Sequence, residues 1–405
     1  MESKVMNYTH KQALTDTING RAAQYLPFAP RLDIWYRANK LRGTLPPEYK
    51  NHGLLDIIDD LDVGYNTMIP DYLDMAEQDD YINRGTGFYF SNTSNCYKVK
   101  FHNVGISHQE TGGNLRVKYK TPFGELETHT IHDDEMKCQG ITICSKKDFL
   151  IKSNADFPAA EFLLENAEVI PQYSRLEAFA QRVGNRGITT AIGLMRESPA
   201  RLLQMELMSY EQMTYDLLDY PEEMQRLMGV IGIFLDKCMA VAAGSCAQVI
   251  TAGAHFDKML SPPPFFREYM LPWLQKHQQI LHRYGKLMAC HTDSDNEGLL
   301  PIYLESGMDI ADSVCTKPLT GQSYEDIRGV LKQSITLYGL IPSIATLPDS
   351  MGEYEFERFL DELLTKIQQD GARRIILAIA DTTPPGADIN RIRKIAKLSR
   401  QIKPR

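Results

Sequence analysis

From Gly187 onward, short apolar runs alternate with long amphipathic ones, and this rhythm constrains the fold more than any other feature of the sequence. The short runs are Gly187-Ile-Thr-Thr-Ala-Ile-Gly, Ala247-Gln-Val-Ile-Thr-Ala, Lys286-Leu-Met-Ala-Cys-His, Met308-Asp-Ile-Ala-Asp-Ser-Val, Ser334-Ile-Thr-Leu-Tyr-Gly and Arg374-Ile-Ile-Leu-Ala-Ile-Ala. Each has the length and apolar content of a buried strand. Between them, 221–239, 263–284, 323–332 and 351–371 carry apolar residues at helical spacing. Strands separated by helices pair in parallel, because a parallel pair needs a long crossover. Leu26-Pro-Phe-Ala-Pro and Asp62-Val-Gly-Tyr-Asn-Thr-Met-Ile supply two further short segments. Eight strands with intervening helices predict a (β/α)8 TIM barrel. A doubly wound open sheet is the alternative, and no Gly-rich dinucleotide fingerprint or P-loop accompanies it.

The stretch 83–145 departs from the rhythm. Tyr97, Val99 and Phe101, then Leu115, Val117 and Tyr119, then Ile141 and Ile143 alternate at period two, with Thr111-Gly-Gly-Asn114 and Thr121-Pro-Phe-Gly124 as turns. The organisation predicted is an N-terminal segment with the first barrel strands over 1–82, a β-rich insertion after the second strand over 83–150, and the rest of the barrel over 151–405.

A net charge of −8 gives no electrostatic attraction for nucleic acid or anionic lipid. The most apolar long stretch, Leu227 to Cys246, is interrupted by Asp236 and Lys237, which suits a buried helix and not a membrane span. Seven scattered cysteines without a CxxC pair read as free thiols. The start, Met1-Glu-Ser-Lys-Val-Met, lacks the apolar core of a signal peptide, so a cytoplasmic protein is expected.

In parallel α/β folds, chemistry gathers at the carboxyl ends of the strands. That rule collects Arg31 and Asp33, Met195, His255 and Asp257, then His291, Asp293 and Asp295, then Asp312, Cys315 and Asp381. His291 and Asp293 form an HxD pair whose side chains share one side of an extended backbone. Such a pair chelates a divalent ion if a third ligand arrives, with Asp381 the candidate and Cys315 a weaker one. The plainer reading of a strand-end His is a ring that satisfies a backbone carbonyl. His255 and Asp257 read equally as substrate contacts or, for Asp257, as the cap of the turn before Ser261-Pro-Pro-Pro. Arg31 either holds an anionic group or pairs with Asp33.

The runs Ser261-Pro-Pro-Pro-Phe-Phe-Arg-Glu-Tyr-Met-Leu-Pro-Trp-Leu, Gly285-Lys-Leu-Met-Ala-Cys-His-Thr-Asp-Ser-Asp-Asn-Glu-Gly-Leu-Leu-Pro and Glu305-Ser-Gly-Met-Asp-Ile resemble the uroporphyrinogen decarboxylase superfamily. Pro27-Phe-Ala-Pro-Arg-Leu-Asp-Ile-Trp-Tyr and Ile379-Ala-Asp-Thr-Thr-Pro-Pro-Gly fit the same superfamily. The resemblance implies a (β/α)8 barrel and one of two occupations, decarboxylation of uroporphyrinogen or methyl transfer involving corrinoids. Decarboxylases carry an RQAGRY-type segment, where this chain has Arg31-Leu-Asp-Ile-Trp-Tyr, and a His near the last strand, where it has Asp381. The superfamily's zinc methyltransferases, which serve a thiol, carry His-x-Cys after strand five and a Cys after the last strand. Here His291 is kept, and Asp293 and Asp381 stand in place of the thiolates.

Replacing soft sulfur with oxygen moves the expectation from thiol activation to oxygen activation. The resemblance therefore implies the O-demethylating branch, which takes methyl from a methyl ether, such as a methoxylated aromatic, and gives it to the Co(I) corrinoid of a partner protein. On that reading His291, Asp293, Asp381 and Asp295 are catalytic, and Arg31, Trp35, Met195, His255 and Asp257 meet the substrate. His291, Asp293 and Asp381 hold zinc or another divalent metal, if one is bound, and cobalamin arrives on the partner. A lyase acting on a carboxylated substrate is a competing reading, with Arg31, Arg84 and Arg196 as its cation suppliers. A non-catalytic scaffold is a third, to be expected if His291, Asp293 and Asp381 do not converge.

Overall fold

The structure is a computed structural model that describes residues 8–68, 96–293 and 295–405. Its first strands are β1 (Tyr97–Phe101), β2 (Gly105–Thr111), β3 (Asn114–Thr121), β4 (Gly124–Ile131), β5 (Ser145–Asp148) and β6 (Ala167–Pro171). Strands β2 to β5 form an antiparallel sheet in chain order. Along β3, Leu115, Val117 and Tyr119 are buried while Arg116, Lys118 and Lys120 face water, as period two requires. The β2–β3 turn needs glycine: Gly113 has φ +77, and a Cβ there would meet the His132 carbonyl at 2.3 Å.

Two features of this region differ from the sequence reading. Ile141 and Ile143 are exposed and outside any strand. A short helix, Asp134–Cys138, intervenes because the Asp133 carboxylate accepts the Met136 amide at 2.9 Å and caps it. β1 lies outside the four-stranded sheet and pairs antiparallel with β6 instead. Its apolar face turns to the main core, where the Tyr97 hydroxyl donates to the Gly193 carbonyl at 2.8 Å.

The alternating half forms one parallel sheet of six strands: β7 (Thr190–Leu194), β8 (Val249–Ala254), β9 (Leu287–His291), β10 (Ile310–Val314), β11 (Thr336–Ile341) and β12 (Ile375–Ile379). Neighbours in sequence are neighbours in the sheet. All residues of β7, β8, β10, β11 and β12 are buried, as in a sheet covered on both faces. Helices Pro221–Ala243, Leu271–Arg283, Tyr324–Leu331 and Glu353–Gln369 occupy the predicted positions. Proline at the first turn starts Pro221–Ala243, and a Ser323 capping box starts Tyr324–Leu331.

The expected eight-stranded barrel is not present as a closed ladder among the described residues. Within the described residues the N-terminal segments contribute isolated hydrogen bonds and no strands. Phe28 bridges Leu377 in parallel, with Ala29 donating to Leu377 and Leu377 to Pro27. Gly64 donates to Phe28 and Tyr65 to Arg186. Pro27 and Pro30 deny the first of these segments the amides that a full ladder requires.

The carboxyl ends of the parallel strands are irregular. Register shifts fall at Asp312/Val314, Ile192/Leu194 and Thr251/Ala254. Five non-glycine residues at these ends are left-handed: His255 (φ 60), Asp293 (φ 56), Ser313 (φ 66), Leu340 (φ 77) and Asp381 (φ 59). Each costs about 1–3 kcal/mol, a strain that clusters at functional sites. Bulges re-aim side chains out of the strand alternation.

Candidate functional site

His291 ends β9 and is 1% exposed. Its Nδ1 lies 2.7 Å from Asp312 Oδ2 on the neighbouring β10. Its Nε2 faces two carboxylates, Asp381 Oδ1 at 3.4 Å and Asp293 Oδ2 at 3.9 Å, yet has no well-formed hydrogen bond among the described residues. Burial opposes charge on this imidazole. The hydrogen bond to Asp312, with the Asp381 and Asp293 carboxylates facing the other ring nitrogen, outweighs it and pushes the ring up to about 10. Burial likewise opposes ionisation of Asp381, and His291 beside it wins, holding that carboxyl below the usual range.

His255 follows β8, one residue past the strand, and its Nδ1 meets Asp293 Oδ2 at 2.8 Å. The two imidazoles cross edge to face at 5.5 Å. Burial pulls the His255 ring below its ordinary value, with Arg196 and His291 adding to the effect. The backbone ties these strand ends together: the His255 amide donates to the His291 carbonyl at 2.9 Å, and the Thr292 amide to the Asp312 carbonyl at 2.8 Å. The Asp381 amide donates to Ser313 Oγ at 2.5 Å.

One ligand atom each from His255, His291 and Asp293 lie within 4.8 Å of one another. Imidazole nitrogen and carboxylate oxygen suit zinc or a similar divalent ion, and a buried imidazole nitrogen without a hydrogen bond is the kind of atom such an ion satisfies. Asp381 stands beside His291 as a further oxygen donor. The sequence reading placed His255 with the substrate; the geometry brings it into the ligand cluster. Asp312 takes the orienting position on His291, since a ligating histidine usually gives its other ring nitrogen to a carboxylate.

Asp293 and Asp381 also line a cavity of about 360 Å³, with Asp295, Cys315, Leu319, Thr320, Ser343 and Ala380. Cys315 is buried there, and burial with three nearby carboxylates pushes its thiol up to about 12, so it stays protonated at neutral pH. Asp295 pairs with Lys258 Nζ at 3.0 Å. Arg31 is flanked by Asp33 at 3.1 Å and Asp381 at 3.6 Å. Asp257 accepts the amides of Met259 and Leu260 at 2.8 and 3.3 Å, the geometry of a turn cap. Trp35 belongs to the main core, and Met195 packs with Ile192 and Ala254 under the His255 strand end. Of the arginines a carboxylated substrate would call on, Arg196 pairs with Glu206 at 2.7 Å, and Arg84 lies outside the described residues.

Sequence reasoning passed over the support beneath His255. Arg201 is fully buried and donates to the His255 carbonyl at 2.8 Å and also to Gln204, whose own amide holds the Leu260 carbonyl at 2.8 Å. Glu197, equally buried, lies 4.0 Å from the Arg201 Nε. A Cβ on Gly253 (φ +104) would stand 2.9 Å from Glu197 Oε2. Two charged residues four apart in an otherwise apolar stretch, Glu197-Ser-Pro-Ala-Arg201, were the available signal.

No helix among the described residues is long and apolar enough to cross a membrane. All seven cysteines are free. No protein-family profile matches the chain, and no curated protein matches it. Among solved structures it is similar to a methyltransferase from Methanosarcina mazei, at 12% identity over 97% of this chain and 98% of that one, with a TM-score of 0.49. A likeness of that degree concerns the backbone, and function rests with the residues of the site.

Proposed function

We propose that the chain is a methyltransferase of the uroporphyrinogen decarboxylase superfamily, which demethylates a methyl ether and passes the methyl group to the Co(I) corrinoid of a partner protein. The observation that carries the reading is the convergence of His255, His291, Asp293 and Asp381 beside a cavity of about 360 Å³. That volume is within the range of sites for small organic ligands. The parallel bridge of Phe28 to Leu377, with the single hydrogen bonds of Gly64 to Phe28 and Tyr65 to Arg186, supports the superfamily's barrel by setting the N-terminal segments beside the parallel sheet.

In the reaction the methyl–oxygen bond breaks and its electron pair leaves with oxygen. Cobalt supplies both electrons of the new bond to carbon, and the departing oxygen takes up one proton. The difficult part is the leaving group, which must be protonated or polarised as it departs. His255, His291 and Asp293, with Asp381 beside them, would hold a divalent ion, which would supply Lewis acidity to the ether oxygen. Asp312 fixes the ring of His291 and directs Nε2 toward the carboxylates of the cavity wall. Without an ion, His291 is the chain's own proton donor. Its carboxylate neighbours raise it well above the ordinary imidazole value, so the ring holds a proton at neutral pH that it can give up as phenoxide leaves.

The test is incubation with methoxylated aromatics and reduced corrinoid, followed through the visible spectrum. Methylation of the corrinoid is expected, and no change across a broad panel of ethers overturns the assignment. Elemental analysis with chelation separates the Lewis-acid form from the general-acid form: full activity in metal-free protein leaves the second.

A further inference from the structure

We propose that the cavity selects an uncharged methyl donor and rejects one that carries a carboxylate. This deepens the functional reading and rests on it. Three carboxylates, those of Asp293, Asp295 and Asp381, line the space, together with the neutral Cys315, Leu319 and Thr320. Lys258 and Arg31, two cations beside this wall, are each already shared between two carboxylates. Lys258 Nζ is 3.0 Å from Asp295 and 2.6 Å from Glu297. Arg31 is 3.1 Å from Asp33 and 3.6 Å from Asp381.

A donor carboxylate entering here has to compete for one of these shared cations while standing beside three like charges. Like charges a few ångströms apart repel one another. An uncharged donor meets no such penalty. Leu319 and Ala380 offer apolar contact to a ring or alkyl group. The Thr320 hydroxyl, which donates to the Cys315 carbonyl at 3.0 Å, keeps acceptor capacity for a phenolic hydroxyl.

Calorimetry on the metal-free full chain at neutral pH decides the matter with two probes, 2-methoxyphenol and 3-methoxybenzoate. The neutral probe is expected to bind at least tenfold more tightly than the charged one. Equal or tighter binding of the benzoate overturns the proposal, as does failure of the neutral probe to bind. Asp295→Asn is expected to narrow the gap between neutral and carboxylated probes by at least threefold, and an unchanged gap also overturns it. Corrinoid methylation is scored separately. Selective binding without methylation refutes the transfer reading and leaves the charge selection standing, whereas methylation that favours the benzoate does the reverse.

Discussion

Asp293 Oδ2 and His255 Nδ1 meet at 2.8 Å across the ends of two adjacent strands, and both residues hold left-handed backbones to do so. Strain kept on both sides of one contact points to a role beyond stability. His255→Ala and Asp293→Asn are each expected to cut divalent-ion affinity by at least about tenfold, and turnover with it. Metal titration and steady-state rates check this. A variant that keeps its metal and its rate marks the pair as structural.

Asp312 orients His291 and favours its protonated form. In metal-free Asp312→Asn the imidazole is expected to titrate well below the wild-type value of about 10, as followed by NMR of the ring protons. The folded value is raised, so the stabilisation is fully present below the unfolded value of about 6.5 and is lost as pH rises through about 10. The stability gap between wild type and variant is therefore widest at and below neutral pH and closes in alkali.

Arg201 holds the loop that presents His255. Arg201→Met removes the donor to the His255 carbonyl and strands Glu197 in the core, for an expected loss of about 3–5 kcal/mol in denaturant melts. Adding Glu197→Gln should recover part of that loss without recovering turnover. Recovery of both would assign Arg201 to stability alone.

His277 is fully buried on helix Leu271–Arg283, and neither ring nitrogen has a hydrogen-bond partner among the described residues. Burial, aided by Lys276, lowers it to about 3. The unfolded chain then binds a proton that the folded chain refuses between about pH 6.5 and 3. Stability should fall across that window by up to about 1.4 kcal/mol per pH unit. His277→Leu should flatten this acid limb in thermal melts read at successive pH values.

The six parallel strands were legible because a strand buried on both faces leaves a continuous apolar run, and four of the runs ended on residues of the site: His255, His291, Asp312 and Asp381. The expected two N-terminal barrel strands do not form among the described residues, where Phe28 and Tyr65 make only isolated hydrogen bonds that no periodicity records. His291 with Asp293 stood out as a pair in sequence. His255 entered the ligand cluster through a left-handed turn, which local sequence does not specify for a histidine. Asp312 and Arg201 act through contacts across strands and loops, visible only after folding.

The parallel bridge between Phe28 and Leu377 also has a consequence during synthesis. At about 5–20 residues per second, the ribosome needs roughly 20–70 s to deliver the second partner after the first. Throughout that interval the apolar stretch around Leu26 and Phe28 has no sheet edge to join. Until β12 leaves the exit tunnel, the Phe28 segment of a nascent chain lacks its partner in the sheet.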